Sequence, residues 1–284
     1  MKKILKNFFN RIFWYIGKSL RIHAINKSLL EINYSRIVNE KKYQNEKHLI
    51  NFGFKVYSQS DEDGILQEIF SRIGIKKKTF VELGIQNGKE CNTTYLLVSG
   101  WSGLWIDKET KDLEIQKIFK TYYGKQIKYL NRNVDKENVN NLISSNFTEK
   151  EEIDLLSIDI GLSTFHVLKE INIVNPRVVV TEYNSKFRAS GEWVSEYNSK
   201  GQWDKSDYFG ASLKSFELMM KNKNYLLVAC NVTGVNAFFV RKDLINEKFI
   251  QNFSSEFNYE PPRYWLVKKF ESENKVVIGK NLSL

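Results

Sequence analysis

Glu82, Gly84 and Gly88 in FVELGIQNGKECNTTYLL, followed by Asp107 in GLWIDKE, are the residues whose types and spacing could do chemistry together. An acid leaves a buried strand, glycines let the backbone turn closely, and a second acid ends the next strand. Strand C-termini and a helix N-terminus that converge in this way form a nucleotide-type crevice in an open α/β sheet. Asp107 stands where a ribose diol would donate two hydrogen bonds, so the ligand expected is one that contains adenosine. Gln86 occupies the place of the middle glycine of a pyrophosphate-binding loop. A turn with so few glycines suits S-adenosylmethionine (SAM), which has no phosphate to approach, better than a dinucleotide. The same turn also reads as an ordinary strand-to-helix connection.

The elements that must position these residues follow from the pattern around them. From residue 54 onward, short β-branched and aromatic runs alternate with segments that are apolar every three to four residues. The predicted strands are TFVELG, GLWID, QIKYLNRNV, EIDLLSIDI, RVVVTEYN, YLLVACNV and NAFFVRKD. Helices are predicted ahead of the first strand (YSQSDEDGILQEIFSRIG, with Ser and Asp as start signals and Gly74 as the stop), between successive strands, and over ASLKSFELMMKNK. Five β–α units, a further helix and a closing hairpin predict a Rossmann-like α/β fold. Its seven-stranded sheet is mostly parallel, with one strand antiparallel at the sheet edge. That hairpin is what separates a class I methyltransferase sheet from a dinucleotide-binding one.

Composition sets outer bounds. The 284 residues carry a net charge of +10, but residues 1–50 hold eleven Lys or Arg against Glu31, Glu40 and Glu46, which leaves about +2 for the rest. A nearly neutral globular part disfavours nucleic acid as a partner. In MKKILKNFFNRIFWYIGKSLRIH, apolar residues recur every three to four positions among Lys and Arg, which predicts a basic amphipathic helix. It is too interrupted to span a bilayer and no cleavage site follows, so residues 1–23 are expected either to touch an anionic membrane surface or to pack on protein. The division expected is a helical extension over 1–53 and one α/β domain over 54–284. Two cysteines, Cys91 and Cys230, are too few for a disulfide framework, which fits a cytoplasmic setting, at most peripheral to the inner membrane. His23, His48 and His166 do not form a ligand set.

Six blocks, in order, carry a family resemblance: SQSDEDGILQEIFSRIG, TFVELGIQNGKECNTTYLL, GWSGLWID, PRVVVTEYNSKF, WDKSDYFGASLKSFE and ACNVTGVNAFFVRKDL. Over roughly residues 55–265 the chain resembles FkbM-related bacterial SAM-dependent methyltransferase-like proteins, which are often associated with surface-polysaccharide biosynthesis. The resemblance implies a cytoplasmic O-methyltransferase with a sugar or glycan-precursor acceptor. It also implies a fourth strand ending in an Asp-x-Asp-Gly-Asn-Asp type of sequence. This chain reads Ser157-Ile158-Asp159-Ile160-Gly161-Leu162-Ser163-Thr164, with Gly161 and Thr164 where later acids would stand. If those acids hold a divalent cation, two oxygen ligands are missing, and a degenerate binding protein within a glycan-assembly complex is the alternative.

Resemblance and spacing together assign the roles. Glu82, Gly84, Gln86, Asn87 and Gly88 would border the methionine part, Asp107 the ribose, and Asn133 and Asp135 the adenine edge. Asp159 and Glu182, ending the fourth and fifth strands, are the candidate catalytic acids. Whether a metal is held stays open; the two acids, with Asn184, would be its ligands. Between Trp193 and Tyr208, aromatic rings alternate with carboxylates as in sugar-binding surfaces. Asn184, Trp203, Asp204 and Tyr208 are therefore the candidate acceptor contacts, although the same rings could simply anchor a long loop.

Overall fold

The computed structural model describes residues 10, 14–15, 22–86, 88, 90–108, 121–198 and 206–266. The helix expected over 1–23 therefore lies almost wholly outside the described residues, as does most of the one expected between the second and third strands. The chain divides into two compact units, 1–46 and 47–284. In the first, helix α1 (Ile22–Val38) is followed by a short turn in which Tyr43 is buried.

The second unit is organised by a seven-stranded sheet. Its strands are β1 (Thr79–Leu83), β2 (Ser102–Asp107), β3 (Ile127–Asn131), β4 (Glu151–Ile158), β5 (Val174–Glu182), β6 (Tyr225–Cys230) and β7 (Asn236–Arg241). Their spatial order is β3-β2-β1-β4-β5-β7-β6. All pairings from β3 to β5 are parallel, and β7 runs antiparallel to both β5 and β6. The hairpin was expected to put its antiparallel strand at the edge. Instead β7 is slotted inside and β6 forms the edge, because helix α6 (Leu213–Asn222) carries the chain past the position beside β5 before it turns back.

Period-two alternation sorts the strand residues onto two faces. Val81, Leu83, Leu104, Ile106, Leu156 and Ile158 join one buried cluster with residues of α4 (Val139–Ser144), α5 (Thr164–Glu170) and α6. Phe80, Trp105, Leu155, Val178 and Val180 join the other, with residues of α2 (Glu62–Ile73) and α3 (Thr94–Val98). Glu82 alternates with Val81 and Leu83, so it belongs to this second face, inside a hydrophobic layer.

The parallel ladders end together. Pairings Leu83↔Ile106, Leu83↔Ile158 and Ile158↔Thr181 put Asp107, Gly84, Asp159 and Glu182 one step further along four adjacent strands, and Glu182 in turn pairs with Asn236. Bonds from Gly84 N–H to the Ile106 carbonyl (3.0 Å) and from Asp159 N–H to the Leu83 carbonyl (2.9 Å) carry the register into this row. Gly84 has φ +87°, and a Cβ there would lie 1.7 Å from the Asp159 carbonyl oxygen. A side chain at 84 thus conflicts with the backbone of β4 as well as with its own φ. Gly84→Ala is expected to destabilise the protein by about 3 kcal/mol or more in urea unfolding. A loss under about 1 kcal/mol would show that the β1–β4 approach is loose.

Candidate functional site

The row at the carboxyl edge of the sheet is the candidate site, and the turn after β1 forms its floor. Gln86 adopts a left-handed φ of +50°, and its N–H donates to Asp107 Oδ2 at 2.6 Å. Gly88, also left-handed, donates to the Ile85 carbonyl and accepts the Thr94 hydroxyl through its own carbonyl. Asp107 thereby ties the turn to the end of β2. Asn87 lies outside the described residues.

Glu82 is committed elsewhere. Its Oε1 accepts from Asn92 N–H (3.0 Å) and the Ser157 hydroxyl (3.1 Å), and its Oε2 from Thr93 N–H (3.1 Å) and the Thr93 hydroxyl. Trp105 Nε1–H donates to that same hydroxyl. Burial raises the Glu82 carboxyl above its ordinary range, opposed by these bonds. A carboxylate 4% exposed with four donors around it has little capacity left for a ligand. The geometry makes it the clamp that joins β1, β4 and the start of α3, rather than a group bordering the methionine part directly.

Asp159 and Glu182 face each other. Glu182 has its carboxyl raised well above the usual range, first by burial and then by Asp159. Asp159 is also raised, by burial first, with Asp107 adding repulsion and the bond from Glu182 opposing it. The interaction between the two carboxyls acts on them in opposite directions, raising Glu182 and opposing the rise at Asp159. By surface area Asp159 is exposed, yet burial governs its ionisation.

The remaining sequence candidates scatter. Asp135 and Asn138 exchange bonds (N–H to Oδ1, 3.0 and 2.8 Å) in the turn ahead of α4, and the Asn133 carbonyl accepts the Asn138 amide. Asn184 is wholly buried; its amide donates to the carbonyls of Asp207 and Phe209 and its oxygen accepts Lys186 N–H, which holds the long loop down. Trp203 and Asp204 lie outside the described residues. Trp193 stacks on Phe187 (centroids 4.4 Å apart) and meets Tyr208 edge-on, while Tyr197 lies between Lys136 and His166 and bonds Glu137. These rings grip one another, the anchoring alternative, while Tyr208 keeps half its surface exposed and accepts Glu196 N–H. Among the described residues no three His, Cys, Asp or Glu side chains are placed to hold a metal ion. Thr164, where the resemblance led us to expect an acid, is fully buried with its hydroxyl accepting Ile160 N–H. Gly161 turns with φ +67°.

Two features escaped the sequence reading. The acids of SDEDG were read as helix start signals, but all three are buried. Glu62 Oε1 accepts the amides of Asn231 (2.7 Å) and Asn236 (2.9 Å), and Asp61 Oδ2 accepts Val232 N–H, which fastens the β6–β7 turn beside Glu182. Tyr264 hydrogen-bonds the Ser185 hydroxyl at 3.1 Å, close enough to Glu182 for that acid to raise its phenol. The only hint in the sequence was a run of acids ahead of an apolar helix, which solvent-facing caps share.

Burial, with Glu62 adding to it, pushes the Asp61 carboxyl up to about 7, and burial pushes Asp63 to about 6. Each acid then holds its proton more tightly folded than unfolded. The stability this confers is complete below the ordinary carboxyl range and is lost as pH rises through 6 and 7. Compared with Asp61→Asn, the wild type should therefore lose stability between pH 5 and 7, by up to roughly 1.4 kcal/mol per pH unit. Parallel urea curves at each pH would measure it, and identical slopes for the two proteins would contradict this account.

No protein-family model matches this chain, and no curated protein matches it either. Among solved structures it is similar to a 1,6-didemethyltoxoflavin-N1-methyltransferase from Burkholderia thailandensis, with 10% identity over 78% of this chain and 90% of that one and a TM-score of 0.41. It is similar also to a putative caffeoyl-CoA O-methyltransferase from Staphylococcus aureus, with 15% identity over 77% and 99% and a TM-score of 0.44. A SAM-dependent methyltransferase from Clostridium acetobutylicum shares 11% identity over 74% and 98%, with a TM-score of 0.37. Likenesses this distant leave activity and substrate to be argued from the residues.

Proposed function

We propose that this protein is a SAM-dependent methyltransferase whose donor lies across the row Asp107, Gly84, Asp159, with the acceptor oxygen beside Asp159 and Glu182. The observation that carries this reading is the row itself: two acids flank a glycine turn at the strand ends where ligands of open α/β sheets bind. Asp107 would accept from the ribose hydroxyls while Gln86 N–H holds its other oxygen.

The donor, when bound, supplies an electrophilic methyl group: the acceptor oxygen forms a bond to that carbon as its bond to sulfur breaks, the electron pair leaving with sulfur. The chain supplies the rest. Asp159, whose rise in pKa Glu182 opposes, takes the proton of the acceptor hydroxyl, and the clamp at Glu82 holds the turn after β1 in place. Nothing in this scheme needs acids at 161 or 164: the Thr164 hydroxyl is buried on Ile160 N–H, and Gly161 acts through its backbone on Asp159.

For the acceptor, the sequence resemblance favours a sugar or sugar-linked group of a surface glycan, handled by a cytoplasmic enzyme. Two free buried cysteines accord with a reducing compartment. No helix among the described residues is long and apolar enough to cross a membrane. Peripheral contact through the basic residues 1–23 belongs to the same reading, with Trp14 and Tyr15 exposed.

Isothermal titration calorimetry with SAM and with S-adenosylhomocysteine tests the proposal. Both should bind to the wild type, and Asp107→Asn, which keeps an acceptor for Gln86 N–H, should weaken both by roughly ten- to a hundredfold. No heat with either ligand would remove the donor and the reaction together.

A further inference from the structure

Helix α1 has two apolar faces, and only one of them is covered. At the advance of roughly 100° per residue of an α-helix, Leu30, Tyr34 and Ile37 share one sector, where Leu30 and Tyr34 are half-buried and Ile37 is buried. About 140° around the axis lie Ile25, Leu29 and Ile32, which are 53%, 50% and 62% exposed. Arg36, in the last turn, falls in line with this second stripe and is exposed, whereas Glu31 sits off it. Aliphatic side chains gathered in one exposed stripe mark a surface that is covered in use. The charge around them says by what. The unit 1–46 holds ten Lys or Arg against Glu31, Glu40 and Glu46, a surplus of seven, and Trp14 and Tyr15 are exposed in the same unit. An apolar stripe, a cation in line with it and a basic surplus together suit an anionic bilayer surface, where aliphatic groups enter the acyl boundary and guanidinium heads stay among the phosphates. A second copy fits worse, because two such basic units repel each other.

We propose that the Ile25, Leu29 and Ile32 face of α1 docks on an anionic phospholipid bilayer, with Arg36 at headgroup depth. This docking extends the peripheral contact given above to residues 1–23 and rests on that reading, but it needs no methyl donor and no residue of the sheet. At 17 residues with Lys27, Glu31 and Arg36 among them, α1 lies in the interface and does not span it. Glu31, off the stripe, keeps its negative charge out of the contact.

Vesicle flotation with the full chain tests the docking. At about 0.1 M salt the wild type should float with vesicles of roughly 70% phosphatidylcholine and 30% phosphatidylglycerol, and much less with phosphatidylcholine alone. Replacing Ile25, Leu29 and Ile32 together by Ser should lower the partition coefficient roughly tenfold or more, and Arg36→Glu alone should lower it a few-fold. All four side chains are exposed, so urea midpoints should stay at the wild-type value; were the triple variant to unfold, Arg36→Glu would decide alone. Binding that both variants retain would overturn the docking and leave the contact at residues 1–23 standing. A wild type that ignores anionic vesicles would remove both, and equal binding to phosphatidylcholine alone would overturn the lipid class. A dimer in light scattering that the triple variant dissociates would give the face to a second copy instead. Calorimetry with S-adenosylhomocysteine, run without vesicles, reports on the donor reading separately.

Discussion

The structure depends on the approach of β1 to β4 at Gly84. The Asp159 carbonyl occupies the space a Cβ would fill, so the two central strands can end side by side only if residue 84 has no side chain. With that contact made, the register of the parallel ladders carries the chemistry-bearing residues into one row, and the turn after β1 passes under the end of β2, where Asp107 holds it. A shift of one residue along either strand would send the acids to the opposite face, into the apolar cluster with Val81 and Leu83.

Around this contact the carboxylates divide into two kinds. Glu82, Glu62 and Asp154 are surrounded by donors and serve as internal fasteners: Glu82 between β1, β4 and α3, Glu62 at the β6–β7 turn, and Asp154 at the opposite end of β4, where it accepts Lys76 and Lys77 N–H and pairs with Arg177. Asp159 accepts Gly161 N–H and faces Glu182, whose only described side-chain partner is Asp159. A buried acid satisfied by donors is a structural element, whereas a pair left to share a proton keeps unspent capacity to interact with a ligand. That contrast is the reason the proposed site is the row rather than the more conspicuous Glu82.

Much of the fold was legible because it rests on local signals. Seven runs of β-branched and aromatic residues, separated by helical periodicity, became seven strands in a mostly parallel sheet, and the closing hairpin turned its last strand antiparallel. The hairpin's place was less legible. Whether β7 lies inside or outside β6 depends on how far α6 carries the chain across the sheet, a distance no local pattern encodes.

The sequence by itself determined which residues end the strands. Asp107, Asp159 and Glu182 follow apolar runs too regular to misread, and Gly84 follows the first of them. Only the tertiary structure decided what each carboxylate meets. Glu82 and Asp159 are both acids at strand ends, yet one step along the pleat gives Glu82 the donors of Asn92, Thr93 and Ser157 and gives Asp159 another acid. Those partners come from segments ten to seventy-five residues away, and the aromatic loop after β5 likewise turned its rings on one another. Hydrogen bonds and charge act over a few ångströms of space, and the order of residues along a chain sets those distances only after the strands have paired.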